Sequence, residues 1–181
     1  MNAPNVPWAW KTGLAWIHAL RHEHPEVAAI LREATADECA ALPWDMNRLD
    51  CCYELAEVAI TLGDQPAARA LTAALEPFST HTILSARAVH IYGPVTSLLG
   101  LLAEVTADHK RAIAHHTNAL KTLKSWGAGP RAALAASDLA RALRAGATPD
   151  DLIAAERLTI EATTQAKSFG CQDALRARPE R

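Results

Sequence analysis

Valine and isoleucine are scarce in this chain of 181 residues, 14 between them, and apolar and polar residues nowhere alternate for long. Both absences argue against a β-rich fold, because strands draw on β-branched residues at a period of two. Cysteine is sparse as well. Cys39, Cys51, Cys52 and Cys171 form no CxxC pair and lack the density of a small disulfide-stapled domain. The longest apolar run, Val95–Ala103, is broken by Thr96 and Ser97, well short of the roughly 20 residues of a membrane span. Met1-Asn2-Ala3-Pro4-Asn5 lacks the basic-then-apolar layout of a secretory leader. No stripe of Lys and Arg appears and the formal net charge is −2, so a phosphate backbone would meet no basic surface. The expectation is a reduced, cytoplasmic protein without nucleic-acid or membrane partners.

What the chain has in quantity is alanine and leucine, 39 and 22 residues, both strong helix formers. The length suits one domain. Proline and glycine divide it into helices. Trp10, Leu14, Ile17 and Leu20 share a stripe on a first helix over 8–21. Pro25 opens a second helix to about Ala41, which Pro43 ends, since the residue before proline is pushed out of the helical region. A third helix spans 45–62. Gly63 is its stop, Asp64 the next N-cap, and Pro66 lies just inside a fourth helix over 65–75. Residues 78–92 read as either a short helix or an extended passage. Helices then start at Gly93-Pro94, after Asp108, at Arg131 and at Pro149, where Thr148 supplies a capping hydroxyl. Residues 171–181 read as a charged, frayed tail.

Three segments align in their small and leucine residues, the third with small length adjustments. They are Leu55-Ala56…Ala59…Gly63…Ala68…Leu75, Leu99-Gly100…Ala103…Ala107…Ala112…Ala119-Leu120, and Leu139-Ala140…Leu143…Gly146…Ala155…Ala162. Small residues let antiparallel helices approach, leucines fill the groove, and a small residue turns the corner. The pattern resembles the tetratricopeptide repeat, with Ala103 in place of the usual first-helix tyrosine, Ala107 in place of the corner glycine and His116 in place of the second-helix aromatic. Over residues 42–170, the order Leu42-Pro43-Trp44-Asp45, Leu62-Gly63-Asp64, Tyr92-Gly93-Pro94-Val95 and Leu98-Leu99-Gly100 is similar to the C-terminal helical repeats of large actinobacterial LuxR-type ATPase signalling regulators. The resemblance implies an all-α stack of antiparallel helix pairs, an irregular tetratricopeptide-like solenoid, with a role in interaction or sensing. The phosphate loop GxxxxGK[ST] of the parent ATPases is absent. The expected layout is one repeat domain over 1–170. It comprises a tryptophan-rich pair over 1–43 and repeat-like pairs over 44–77, 93–126 and 131–169.

In that register the first helices of each pair line a concave groove. Asp50, Tyr53, Glu54 and Glu57 would lie beside Ser97, Leu101 and Glu104, then Ser137, Asp138 and Arg141. Acidic groups outnumber basic ones there, which suits a basic peptide or a cationic small molecule. A merely solvated helix stripe gives the same pattern. Trp8, Trp10, Trp16 and Trp44 would cap the end of the stack or line an aromatic pocket. His18, His22 and His24 have the spacing to share a metal ion, but with no carboxylate in a fixed position a solvated helix end is the better reading. No metal and no cofactor are expected. The leading function is a protein-interaction or ligand-sensing module in transcriptional or signalling control, with a homodimer covering the apolar ends. The alternative is a small-molecule enzyme with His22, His90 and His116 as first suspects. It requires two or more histidines to meet a carboxylate inside an enclosed pocket.

Overall fold

Proline, glycine and aspartate set most boundaries in the computed structural model, which describes residues 6–21, 24–85, 90–146 and 148–176. Helix α1 (Trp8–Leu20) starts after Pro7 and α2 spans His24–Thr35. The second helix stops short of Ala41 because Asp37, Glu38 and Cys39 take φ values of 46°, 53° and 64°, a left-handed passage that breaks the α-helical ladder. Helix α3 (Arg48–Leu62) begins later than Asp45. The Asp45 carboxylate accepts the Asn47 backbone N–H at 2.8 Å, a local turn that competes with helix. Gly63 closes α3 at φ 65°, and Asp64 caps α4 (Gln65–Leu75) by accepting the Ala67 N–H.

The passage left open over 78–92 contains a short turn, Glu76–Phe78, and an antiparallel hairpin of β1 (Thr82–Ser85) and β2 (His90–Pro94). The fold is therefore all-α with one two-stranded insertion, not helical throughout. Its register is irregular between Ile83 and Leu84. Four helices follow: α5 (Val95–Val105), α6 (His109–Ser125), α7 (Gly129–Gly146) and α8 (Pro149–Ser168). Asp108 caps α6 through the Arg111 N–H, and Thr148 caps α8 through the Asp151 N–H. Of the tail expected over 171–181, residues 177–181 lie outside the described residues, and the rest is not frayed. Gln172–Arg176 form a short helix, α9, against α7 and α8.

From α3 to α8 each helix packs on the next, and α3 and α7 also both meet α5. Helix α1 lies chiefly on α3. The main apolar core runs from α1 to α5 through Leu31, Leu55, Leu71, Leu99 and Leu102, and a second joins α6, α7 and α8 through Leu120, Leu139 and Leu158. Between them sit Ala103, Ala112 and Ala142, with Ile113 packed against them. Among the described residues no helix is long and apolar enough to cross a membrane.

Candidate functional site

Residues 50, 53, 54 and 57 recur at helical spacing, so α3 carries Asp50, Tyr53, Glu54 and Glu57 along one side. All four are half-buried. The hairpin adds the other wall. Tyr92 stacks on Tyr53 with ring centroids 3.9 Å apart and planes 19° apart. Trp16 of α1 meets Tyr53 edge-on at 5.8 Å and Tyr92 at 6.4 Å, the geometry favoured by ring quadrupoles. His90 meets the Tyr92 ring edge-on at 4.7 Å. Two polar ties hold the hairpin there. Ser85 Oγ donates to Asp50 Oδ2 at 2.8 Å, and an Arg131 N–H from α7 donates to the Tyr92 carbonyl.

Thr12 completes this end. Its Oγ1 lies 2.5 Å from Glu54 Oε2 and 3.0 Å from the Trp8 carbonyl oxygen. The neighbouring Gly13 permits the approach: a Cβ there would stand 3.3 Å from Glu54 Oε1. Burial is the main reason the Glu54 carboxyl is pushed up to about 7, with the Asp50 charge adding to it and the Thr12 contact opposing it. Burial likewise raises the Tyr92 phenol. Asp50 Oδ1 is buried with no hydrogen-bond partner.

The second half of the predicted groove is a separate, closed network. Glu104 of α5 meets His116 Nε2 of α6 at 2.7 Å. Its carboxylate also accepts Arg141 Nε at 2.8 Å and Nη2 at 3.0 Å. Arg141 lies 3.0 Å from Asp138 on its own helix. Burial opposes ionisation of Glu104, yet the bonds from His116 and Arg141 outweigh it and hold the carboxyl below the usual range. His116 is 1% exposed. Its ring packs on Gly100, where a Cβ would sit 2.5 Å away. Leu101 is a core residue, and Ser97 and Ser137 are half-buried.

The four tryptophans do not share one surface. Trp16 belongs to the tyrosine cluster, Trp8 holds Lys11 Nζ 4.7 Å from its ring centre, and Trp10 is exposed. Trp44 is exposed too, carrying the Arg48 guanidinium 3.8 Å from its ring. Of the metal and enzyme suspects, His18 is half-buried on α1 and His90 is exposed. His22 and the side chain of His24 lie outside the described residues. Among the described residues no three His, Cys, Asp or Glu side chains are placed to hold a metal. Cys51 and Cys52 are both buried, and burial lifts their thiols to about 11 and about 12, far from nucleophilic use.

Thr12, Ser85, Tyr92 and Arg131 escaped the sequence reading, because each reaches the site from a different element. One signal was available: Tyr53 and Tyr92 are the only tyrosines in the chain. Comparison with family models, curated proteins and solved structures finds no match.

Proposed function

We propose that the protein is a helical-repeat interaction module that takes a partner segment on the face formed by α1, α3 and the hairpin. The observation that carries this reading is the convergence of Trp16, Tyr53 and Tyr92 with Asp50 and Glu54 on a surface that is only half-buried. Aromatic anchors beside carboxylates are the usual makings of a recognition surface for basic segments. The succession of packed helices, with α3, α5 and α7 adjacent, supports the solenoid reading, in which this face would lie at one end of a row of first helices. A place in signalling or transcriptional control rests on the resemblance of residues 42–170 to regulator repeats. Apolar residues left exposed on α1 and α8, among them Ile17, Leu20, Ile153 and Ile160, support pairing of two chains.

No observation favours the enzyme alternative. His116 meets one carboxylate in a sealed network whose second partner is an arginine, which is an arrangement for holding helices together.

The test is fluorescence anisotropy with a panel of labelled peptides, Lys/Arg-rich, neutral and Glu/Asp-rich. Basic peptides should bind in preference. Asp50→Asn, which removes a negative charge beside the tyrosine pair, should weaken them several-fold. Equal binding of all three classes, or none, would sink the reading.

A further inference from the structure

Helix α1 has an inner and an outer stripe. Thr12, Ala15 and Ala19 are buried where the helix lies on α3. At about 100° per residue, Trp10, Leu14 and Ile17 fall on the opposite side. They are 69%, 36% and 52% exposed, and Leu20 at their edge is 62% exposed. The helix contains no acidic residue, and Lys11 and His18 lie between the stripes, not on the outer one. A helix apolar on opposite sides is built to be covered on both; among the described residues the outer stripe stays exposed.

We infer that two copies of this chain pair through the outer stripe of α1, with the two α1 helices antiparallel. Positions 10, 14, 17 and 21 advance by four, three and four, the seam by which one helix fits another. Turned about a two-fold axis between Ala15 and Trp16, Leu14 meets the partner's Ile17. Trp10 meets the partner's Arg21, a guanidinium over an indole. Each contact occurs twice, as an isologous interface requires.

Charge points to the same occupant. Glu33 of α2 stands beside the stripe, 3.2 Å from Lys11, with its side chain 57% exposed. The antiparallel arrangement brings Arg21 of the partner subunit to that end of α1. A lipid surface fits less well, because a helix lying on an anionic membrane carries a strongly basic polar face. The exposed residues of neighbouring α2 include Glu26 and Glu33 against Arg32 alone. Helix α8 fits less well than α1, since Arg157 and Thr164 share the side of its exposed Ile153 and Ile160.

The four α1 side chains offer roughly 400 Å² of apolar surface, the size of a functional patch. Doubled, and with its charged rim, the interface is on the order of 1,000 Å², enough for reversible pairing and too little for a permanent dimer. That two chains pair rests on the proposed function; the surface and its antiparallel sense do not.

Sedimentation velocity of the full chain, from about 1 μM to about 300 μM, tests this. The sedimentation coefficient should rise with concentration, with a midpoint in the micromolar range. Ile17→Glu should raise that midpoint at least about tenfold, because pairing would bury two unpaired carboxylates. Ile153→Glu should leave it unchanged. If Ile17→Glu disturbs α1 itself, a mixture of Leu14→Cys and Ile17→Cys chains decides. Oxidised in air, the two variants should join to each other in preference to themselves; joining at like positions overturns the antiparallel sense. A chain that is monomeric throughout overturns the surface, and if it pellets with phosphatidylcholine–phosphatidylserine vesicles the stripe belongs to a lipid surface. Association that Ile17→Glu leaves intact also overturns it, while loss through Ile153→Glu would keep pairing and move it to α8. Loss of peptide binding with pairing intact would remove the proposed partner face and leave this one standing.

Discussion

Ala107 stands where the repeat pattern has glycine, and it adopts the conformation that glycine serves. Its φ of 57° matches the 65° of Gly63 and of Gly127 at neighbouring corners. A side chain in that region is strained by about 1 kcal/mol or more. Ala107→Gly should therefore stabilise the fold by about 0.5 kcal/mol once the greater freedom of unfolded glycine is subtracted, seen as a higher urea midpoint. The opposite holds at Gly100. A methyl there would overlap the buried His116 ring, and Gly100→Ala should cost about 1–3 kcal/mol through overpacking in the same assay. The sequence pattern placed His116 at an expected packing position and Gly100 in an expected small-residue position, but did not pair the two. It did not show that His116 would spend its polar edge on Glu104, since that partner comes from a different helix.

Helices α4, α6 and α8 each begin at a side chain that accepts a backbone N–H: Asp64, Asp108 and Thr148. Replacing any one by alanine should cost about 1 kcal/mol. The three losses should add, because the caps share no partner; thermal unfolding of the triple variant checks this. These starts were readable from local signals. The hairpin was not. Its strands are four and five residues long with an irregular register, and the polar ties that position it reach Asp50 and Arg131, which lie 35 and 39 residues away along the chain. No periodicity encodes such contacts. The left-handed passage at Asp37–Cys39 and the short α9 were missed for a related reason, since neither carries a glycine–proline signature of its own.

At the scale of the whole molecule, the predicted groove divides into an open half and a closed half. Asp50, Tyr53 and Glu54 were legible as one face because helical spacing fixes it. Thr12, Trp16 and Tyr92 needed the tertiary fold. In the closed half, Glu104 is held below the usual carboxylate range, so its contribution is present above the ordinary 4.5 and lost as pH falls through the folded value. Glu104→Gln should cost about 3 kcal/mol at neutral pH, as breaking a buried ion pair does. Its difference from wild type should shrink in acid, as measured by urea unfolding across pH. The same residue spans the place where the two apolar cores fail to merge. Leucines fill each core, but at the border three alanines meet with Ile113 against them, beside an ion pair from α5 to α7 and a histidine from α6. Mechanically, polar ties supplement the apolar packing at this border. Apolar contacts tolerate sliding, whereas a two-pronged guanidinium–carboxylate bond fixes an angle. The Arg141–Glu104 pair thus fixes the angle between α5 and α7, and the Arg131 bond to the Tyr92 carbonyl fixes α7 against the hairpin.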